Sequence, residues 1–156
     1  MRLLLLAVGS RQPDWVQNGF DEYSRRFPPH LTLHLQEIAA AKRSKNTVTD
    51  RIKQEEGGRL LKTIPQDALV IALDEHGQAV STRGLADKLT EWRHIGRDIV
   101  YLIGGADGLA ADCLERADWR WSLSPLTLPH GLVRILVAEQ LYRANSLLEG
   151  HPYHRE

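Results

Sequence analysis

The chain has 156 residues, 42% hydrophobic and 26% charged, the profile of one ordinary soluble globular domain. Its 20 Lys+Arg balance 20 Asp+Glu, which excludes recognition of nucleic acid through an overall basic field and leaves any RNA partner to a local or composite patch. A single cysteine, Cys113, excludes an internal disulfide and suits a reducing compartment, and no apolar stretch reaches the length of a membrane span.

Residues 2–8 form a short apolar run that superficially resembles a signal peptide. The run ends at once in Ser10-Arg11-Gln12-Pro13-Asp14, so an opening β-strand and a cytoplasmic protein are expected. The spacing predicts an amphipathic helix over 14–26, carrying Trp15, Phe20 and Tyr23 and stopped by Pro28-Pro29. Residues 31–38 alternate apolar and polar, the period of a strand with one face covered. A polar loop containing Lys42-Arg43-Ser44-Lys45-Asn46 precedes a helix over 49–62, in which Gly57-Gly58 is a weak point.

The continuous apolar run 68–73 reads as a strand buried on both faces, followed by a turn over 74–77. Ser81 is placed to cap a helix containing Leu85, Leu89 and Trp92, which Gly96 closes. Residues 98–103 form another buried strand that enters Gly104-Gly105-Ala106-Asp107-Gly108. A short helix to about 117, a strand over 119–123, the segment 124–130 and a long helix over 131–148 complete the order. Alternating strands and helices, without repeats or a linker, give a single α/β domain with a mostly parallel sheet and helices on both faces.

In such sheets ligands bind outside the carboxyl ends of the strands. Three connections leave those ends: the one after Leu73, residues 104–108, and residues 123–130. Gly104, Gly105 and Gly108 let backbone approach a ligand, but G-G-x-x-G is neither the dinucleotide fingerprint nor a phosphate loop. Nicotinamide and nucleoside-triphosphate chemistry are therefore disfavoured. Residues 123–130 are apolar yet irregular, with Ser124 and Thr127 hydroxyls and two prolines. Such a segment can wall an adenine ring with leucines while its backbone reads the ring edge, although on these residues alone a buried connection before a helix is the simpler reading.

Three stretches taken together are far more specific: Ile103-Gly104-Gly105-Ala106-Asp107-Gly108, Leu123-Ser124-Pro125-Leu126-Thr127-Leu128-Pro129-His130, and the ending His151-Pro152-Tyr153-His154-Arg155-Glu156. With Ala7-Val8-Gly9, Pro13-Asp14-Trp15 and Lys42-Arg43, they make the whole chain resemble the ribosomal large-subunit pseudouridine methyltransferases of the SPOUT (α/β-knot) superfamily. The resemblance implies a trefoil knot in the carboxyl-terminal half and S-adenosylmethionine bound in a bent conformation. By motif, the cofactor contacts would be Leu73, Gly104, Gly105, Gly108, Leu123, Ser124, Pro125, Leu126, Thr127 and Leu128. Ala106-Asp107 stands where a Pro-Glu pair is frequent, a change that backbone-mediated binding tolerates.

The resemblance further implies methylation at N3 of a pseudouridine in assembled ribosomes. That atom must lose its proton before it attacks, so catalysis is chiefly positioning and proton management. Tyr153, His154 and Arg155 in the tail, with Arg143 on the last helix, are the candidates. Tyr153 is expected to stack on the base, Arg155 to hold phosphate or the developing anion, and His154 to move the proton. Glu139 and Arg143 share a helix face at i, i+4 and are as well explained as an ion pair. The tail has no evident packing logic of its own. His130 reads as a loop-to-helix anchor, and no metal site is expected, because His151-x-x-His154 lacks H-E-x-x-H spacing.

The last helix is apolar around much of its circumference, which points to a homodimer that also offers RNA a composite surface. Arg25, Arg26, Lys42, Arg43, Lys45, Arg51 and Lys53 are candidates for phosphate contacts. Two other readings remain open from sequence: a knotted tRNA methyltransferase, and a non-catalytic ribosome-binding module that senses S-adenosylmethionine.

Overall fold

The computed structural model describes residues 1–154. Its elements are β1 (Arg2–Val8), α1 (Asp14–Ser24), β2 (Thr32–Ile38), α2 (Thr49–Thr63), β3 (Leu69–Ala79), α3 (Thr82–Ile95), β4 (Ile99–Ile103), α4 (Ala111–Arg116), β5 (Trp119–Ser122) and α5 (His130–Glu149). The strands form one sheet in the order β2-β1-β4-β3-β5, and every pairing is parallel.

Both faces are covered, and the period-two geometry of the strands decides which residue faces which layer. Leu3, Leu5 and Ala7 of β1, with Ile71, Ile99 and Tyr101, face Phe20 of α1, Leu85 and Leu89 of α3, and Val137 and Leu141 of α5. Leu6 and Val8, with Val70, Ala72, Val100 and Leu102, face Leu60 of α2 and Cys113 of α4. Truncating a fully buried leucine such as Leu5 to alanine costs about 2–5 kcal/mol. Gly57 is no weak point in α2. A Cβ there would lie 2.9 Å from Ala110 and 3.3 Å from the Cys113 sulfur, so it permits close packing of α2 on α4.

The helix ends follow their sequence signals. Ser81 accepts the Gly84 N–H at 3.0 Å, and Gly96 ends α3 in the left-handed region at φ 74°. The expected turn over 74–77 is corrected: β3 continues to Ala79. It pairs β5 at Leu73↔Trp121, bulges, and pairs it again at Gln78↔Trp121 and Ala79↔Ser122. Gly77 makes this possible, because a Cβ there would meet the Arg120 carbonyl at 2.7 Å. The polar run Asp74-Glu75-His76, which the bulge sets along the cavity wall, hid the strand.

The all-round apolar character of α5 also has a simpler origin than a second subunit. α1 and α3 of the same chain both pack against it, and Val137, Ala138 and Leu141 are fully buried there. Within that apolar helix sits Arg134, whose side chain is 1% exposed. It donates to Glu37 Oε2 and to the Gly9 carbonyl, both at 2.8 Å, and so ties α5 to the carboxyl ends of β1 and β2. Among the described residues, no helix is long and apolar enough to cross a membrane.

Candidate active site

The carboxyl ends of β3, β4 and β5 open into one cavity of about 770 Å³, within the range of small-molecule sites. Its walls come from three connections: the β3 bulge, the glycine loop after β4, and the segment joining β5 to α5. The glycine loop is a tight turn in which the Gly108 N–H donates to the Gly105 carbonyl at 3.0 Å. Gly104 has to be glycine, since a Cβ there would lie 2.6 Å from the Gly108 carbonyl carbon.

The segment after β5 is held by its own hydroxyls. Ser122 donates to the Glu75 carbonyl at 3.0 Å, the Leu126 N–H donates to Ser124 Oγ at 3.0 Å, and Thr127 donates to the Glu75 carboxylate at 3.0 Å. These bonds lock the third wall to the bulge of β3. Leu126 is left 69% exposed at the mouth.

Nine of the ten residues expected to hold the cofactor line this cavity: Leu73, Gly104, Gly105, Gly108, Leu123, Ser124, Leu126, Thr127 and Leu128. Pro125 is exposed and lies outside the lining. The cavity adds Asp74 and Glu75 from the bulge, which sequence reasoning missed, and Lys53 from α2 and His130 from the first turn of α5, which it had given other roles. The strand end after Leu73 was visible in the sequence, but the bulge that aims its acids inward was not. His130, read as an anchor, is a wall residue. Burial lowers its pKa first and the Arg134 charge next, while Glu56 opposes them. Asp107 is ion-paired with Arg43, which fastens the 39–47 loop to the glycine loop.

None of Arg143, Tyr153 and His154 lines the cavity. They form a second cluster at the other end of α5. The Tyr153 hydroxyl donates to Glu139 Oε1 at 3.0 Å, and Arg143 Nε donates to the same oxygen at 2.8 Å. The Tyr153 ring meets Tyr142 edge-on at 4.7 Å and lies under the Arg143 guanidinium at 4.9 Å. Burial first, then the bond to Glu139, push the Tyr153 hydroxyl well above its ordinary pKa, so it stays a proton donor. His154 Nδ1 lies 3.4 Å from the Ser146 hydroxyl. The tail therefore does have packing logic as far as His154. Arg155, the remaining catalytic candidate, lies outside the described residues.

Along α5, Glu139 is six residues from Val133, the last cavity-lining residue of that helix, or about 9 Å at 1.5 Å per residue. The cavity and the tail cluster of one chain are thus separate places. Of the candidate phosphate contacts, Arg25 and Arg26 are ion-paired with Glu22, and Arg43 with Asp107. Among the described residues, no group of three or more His, Cys, Asp or Glu is arranged to hold a metal ion.

The cavity can take a flat, partly apolar ligand of positive charge, since its walls combine leucines, open backbone and the acids Asp74 and Glu75. Comparison with known proteins agrees with the architecture. A solved structure of a probable methylase family protein from Haemophilus influenzae Rd KW20 matches with a TM-score of 0.54 at 13% identity, covering 99% of this chain and 70% of that one, a likeness of fold. Three curated relatives bear the name ribosomal RNA large subunit methyltransferase H. That of Thioalkalivibrio sulfidiphilus is 54% identical over 156 residues, covering 100% of both chains. Those of Alkalilimnicola ehrlichii and Nitrosococcus oceani are 53% and 52% identical, each covering 99% of both. A family model described as predicted SPOUT methyltransferase matches residues 1–154, and with that match and relatives of equal length, the chain belongs to the SPOUT methyltransferase family.

Proposed function

We propose that this protein uses S-adenosylmethionine to methylate large-subunit ribosomal RNA, at N3 of a pseudouridine, with the assembled ribosome as substrate. The observation that carries the cofactor is the cavity itself. Backbone from the glycine loop and from residues 123–128 is open to an adenine edge, leucines cover the ring faces, and Asp74 and Glu75 suit a positively charged ligand. The RNA and the acceptor rest on the relatives named above and on the tail motif.

The bound cofactor supplies an electrophilic methyl group; the protein's own residues supply order and proton control. Leu123, Leu126 and Leu128 exclude water from the cavity, and the Thr127–Glu75 bond keeps its third wall in place. Tyr153 and Arg143 clamp the Glu139 carboxylate, so the tail is presented as a rigid face for the target base. His154 takes the N3 proton, and Arg155 has the charge to hold the developing anion.

Because none of Arg143, Tyr153 and His154 lines the cavity of its own chain, a tail that acts at the methyl group has to come from elsewhere. A homodimer in which one subunit's tail faces the other's cavity resolves this. Trp15 on α1 and Leu148 on α5, 58% and 38% exposed, supply apolar surface for such a contact. Among the described residues, Lys42, Lys45, Arg51 and Lys53 are the candidate phosphate contacts without an ion-pair partner.

The test is methyl incorporation from labelled S-adenosylmethionine into ribosomes, isolated subunits and bulk tRNA, each lacking the modification. Label only in large-subunit rRNA of whole ribosomes, lost in Arg155→Ala, is the expected result. Label in tRNA instead would replace the proposed acceptor, and binding of the cofactor without any transfer would overturn the catalytic reading.

A further inference from the structure

We propose that Glu56 is a specificity-determining residue: its buried carboxylate, set directly behind the glycine loop, makes the cavity prefer the positively charged sulfonium cofactor over the neutral thioether left after transfer. The inference rests on the cofactor reading above. Glu56 lies on α2 and is 3% exposed. Its Oε2 accepts the Ala41 N–H at 3.1 Å, but its Oε1 has no hydrogen-bond partner. A half-satisfied carboxylate at such depth is costly unless a positive group arrives to compensate it.

The position says where that group would be. A Cβ built on Gly105 would lie 3.0 Å from Oε1, so one glycine's backbone separates the carboxylate from the cavity that Gly105 lines. Other acids at the cavity have partners and stand nearer solvent: Asp107 pairs with Arg43, Glu75 accepts the Thr127 hydroxyl, and Asp74 accepts the His76 N–H at 3.2 Å. Among the described residues no ion pair of Glu56 is recorded. Its charge is near enough to His130, another cavity residue, to oppose in part the lowering of that histidine's pKa by burial and Arg134.

Anchoring the Ala41 N–H needs only an acceptor oxygen, which a neutral amide also provides; that role gives no reason for a charge. The reaction does. Cofactor and product share the same ammonium, carboxylate and adenosine. When the methyl passes to the acceptor, the sulfur keeps the electron pair of the broken C–S bond and loses its charge. A fixed negative charge in a poorly screened site distinguishes those two states and favours release of the spent molecule.

The experiment is calorimetric titration of the full-length protein with S-adenosylmethionine and S-adenosylhomocysteine, comparing wild type, Glu56→Gln and Glu56→Asp. Wild type should bind the sulfonium form more tightly. Glu56→Gln should lower the ratio of the two affinities by about tenfold, chiefly by weakening the charged ligand, while Glu56→Asp largely retains it. Equal losses for both ligands would reduce Glu56 to a structural anchor and overturn the proposal, as would an unchanged ratio. If Glu56→Gln fails to fold, wild type decides alone, because equal or tighter binding of the neutral product contradicts the idea. Failure of wild type to bind either ligand would instead defeat the cofactor reading itself, and this inference with it.

Discussion

At its amino-terminal end α5 turns His130 into the cavity wall and buries Arg134 against Glu37 and the Gly9 carbonyl. At its carboxyl-terminal end the same helix carries Tyr142, Glu139 and Arg143 into a cluster closed by Tyr153. The first end is built around backbone: glycines, open amides and carbonyls, with few side chains free to move. The second is built from side chains that hold one another. Binding a cofactor of fixed shape suits the first construction, and meeting a base that must be admitted and released suits the second. The two ends should fail independently.

Truncation after Gly150 should have the largest effect on turnover. It removes Tyr153 and His154, which fold onto α5, together with Arg155. Loss of proton-transfer and positioning groups typically costs roughly a hundred- to ten-thousandfold in rate. We expect methyl transfer to ribosomes to fall by that order, while the dissociation constant for S-adenosylmethionine changes by less than about threefold. A comparable loss of cofactor affinity would erase the distinction between the two ends.

Arg134→Met strikes the other end through stability. It leaves the half-exposed Glu37 and the Gly9 carbonyl without their buried donor, and losing such charge-assisted bonds costs about 1.5–3 kcal/mol. Urea unfolding should register a loss of that size. A loss under about 1 kcal/mol would mean that the pair is as weak as a surface one.

The same contrast explains what was legible in the sequence. Strands over 68–73 and 98–103, the Ser81 cap and the Gly96 stop depend on local period and residue type, and they stand where expected, give or take a residue. The second half of β3 was not legible. Asp74-Glu75-His76 has no apolar alternation, and only pairing with β5, more than forty residues away, makes 78–79 a strand. Nine cavity residues were visible because their motifs are contiguous. Glu56 was not, since its meaning lies in Gly105 and Ala41, neighbours only in the fold. Arg134 left a trace, a lone cation in an apolar run. The packing of Tyr153 left none, because nothing local distinguishes a tail that folds back on its helix.

Gly104→Ala tests the backbone construction directly. The added methyl would sit 2.6 Å from the Gly108 carbonyl carbon, so the glycine turn has to shift. Overpacking of this kind costs about 1–3 kcal/mol, equivalent to roughly five- to a hundred-and-fifty-fold in cofactor affinity if it falls on the bound state. The Tyr153 cluster should be untouched, which tyrosine resonances in a nuclear magnetic resonance spectrum would check. Unchanged cofactor binding would show that the loop does not form part of the binding surface.

The smallest effect concerns pH, and it separates the ends by charge. Burial and the Arg134 guanidinium hold the His130 pKa below its ordinary value near 6.5, with Glu56 pulling weakly the other way. A depressed histidine is neutral in the folded chain while the unfolded chain takes up a proton. Stability from this residue is therefore complete above about pH 6.5 and declines as the pH falls below that value. Wild type should lose a modest part of its denaturant midpoint between about pH 7.5 and 5.5, and His130→Asn should lose measurably less over that interval. Parallel curves for the two proteins would mean that His130 protonates as freely in the folded cavity as in the unfolded chain. In that event the amino-terminal end of α5 would be an open, hydrated wall, and the contrast with the tail cluster would have to rest on the glycine turn alone.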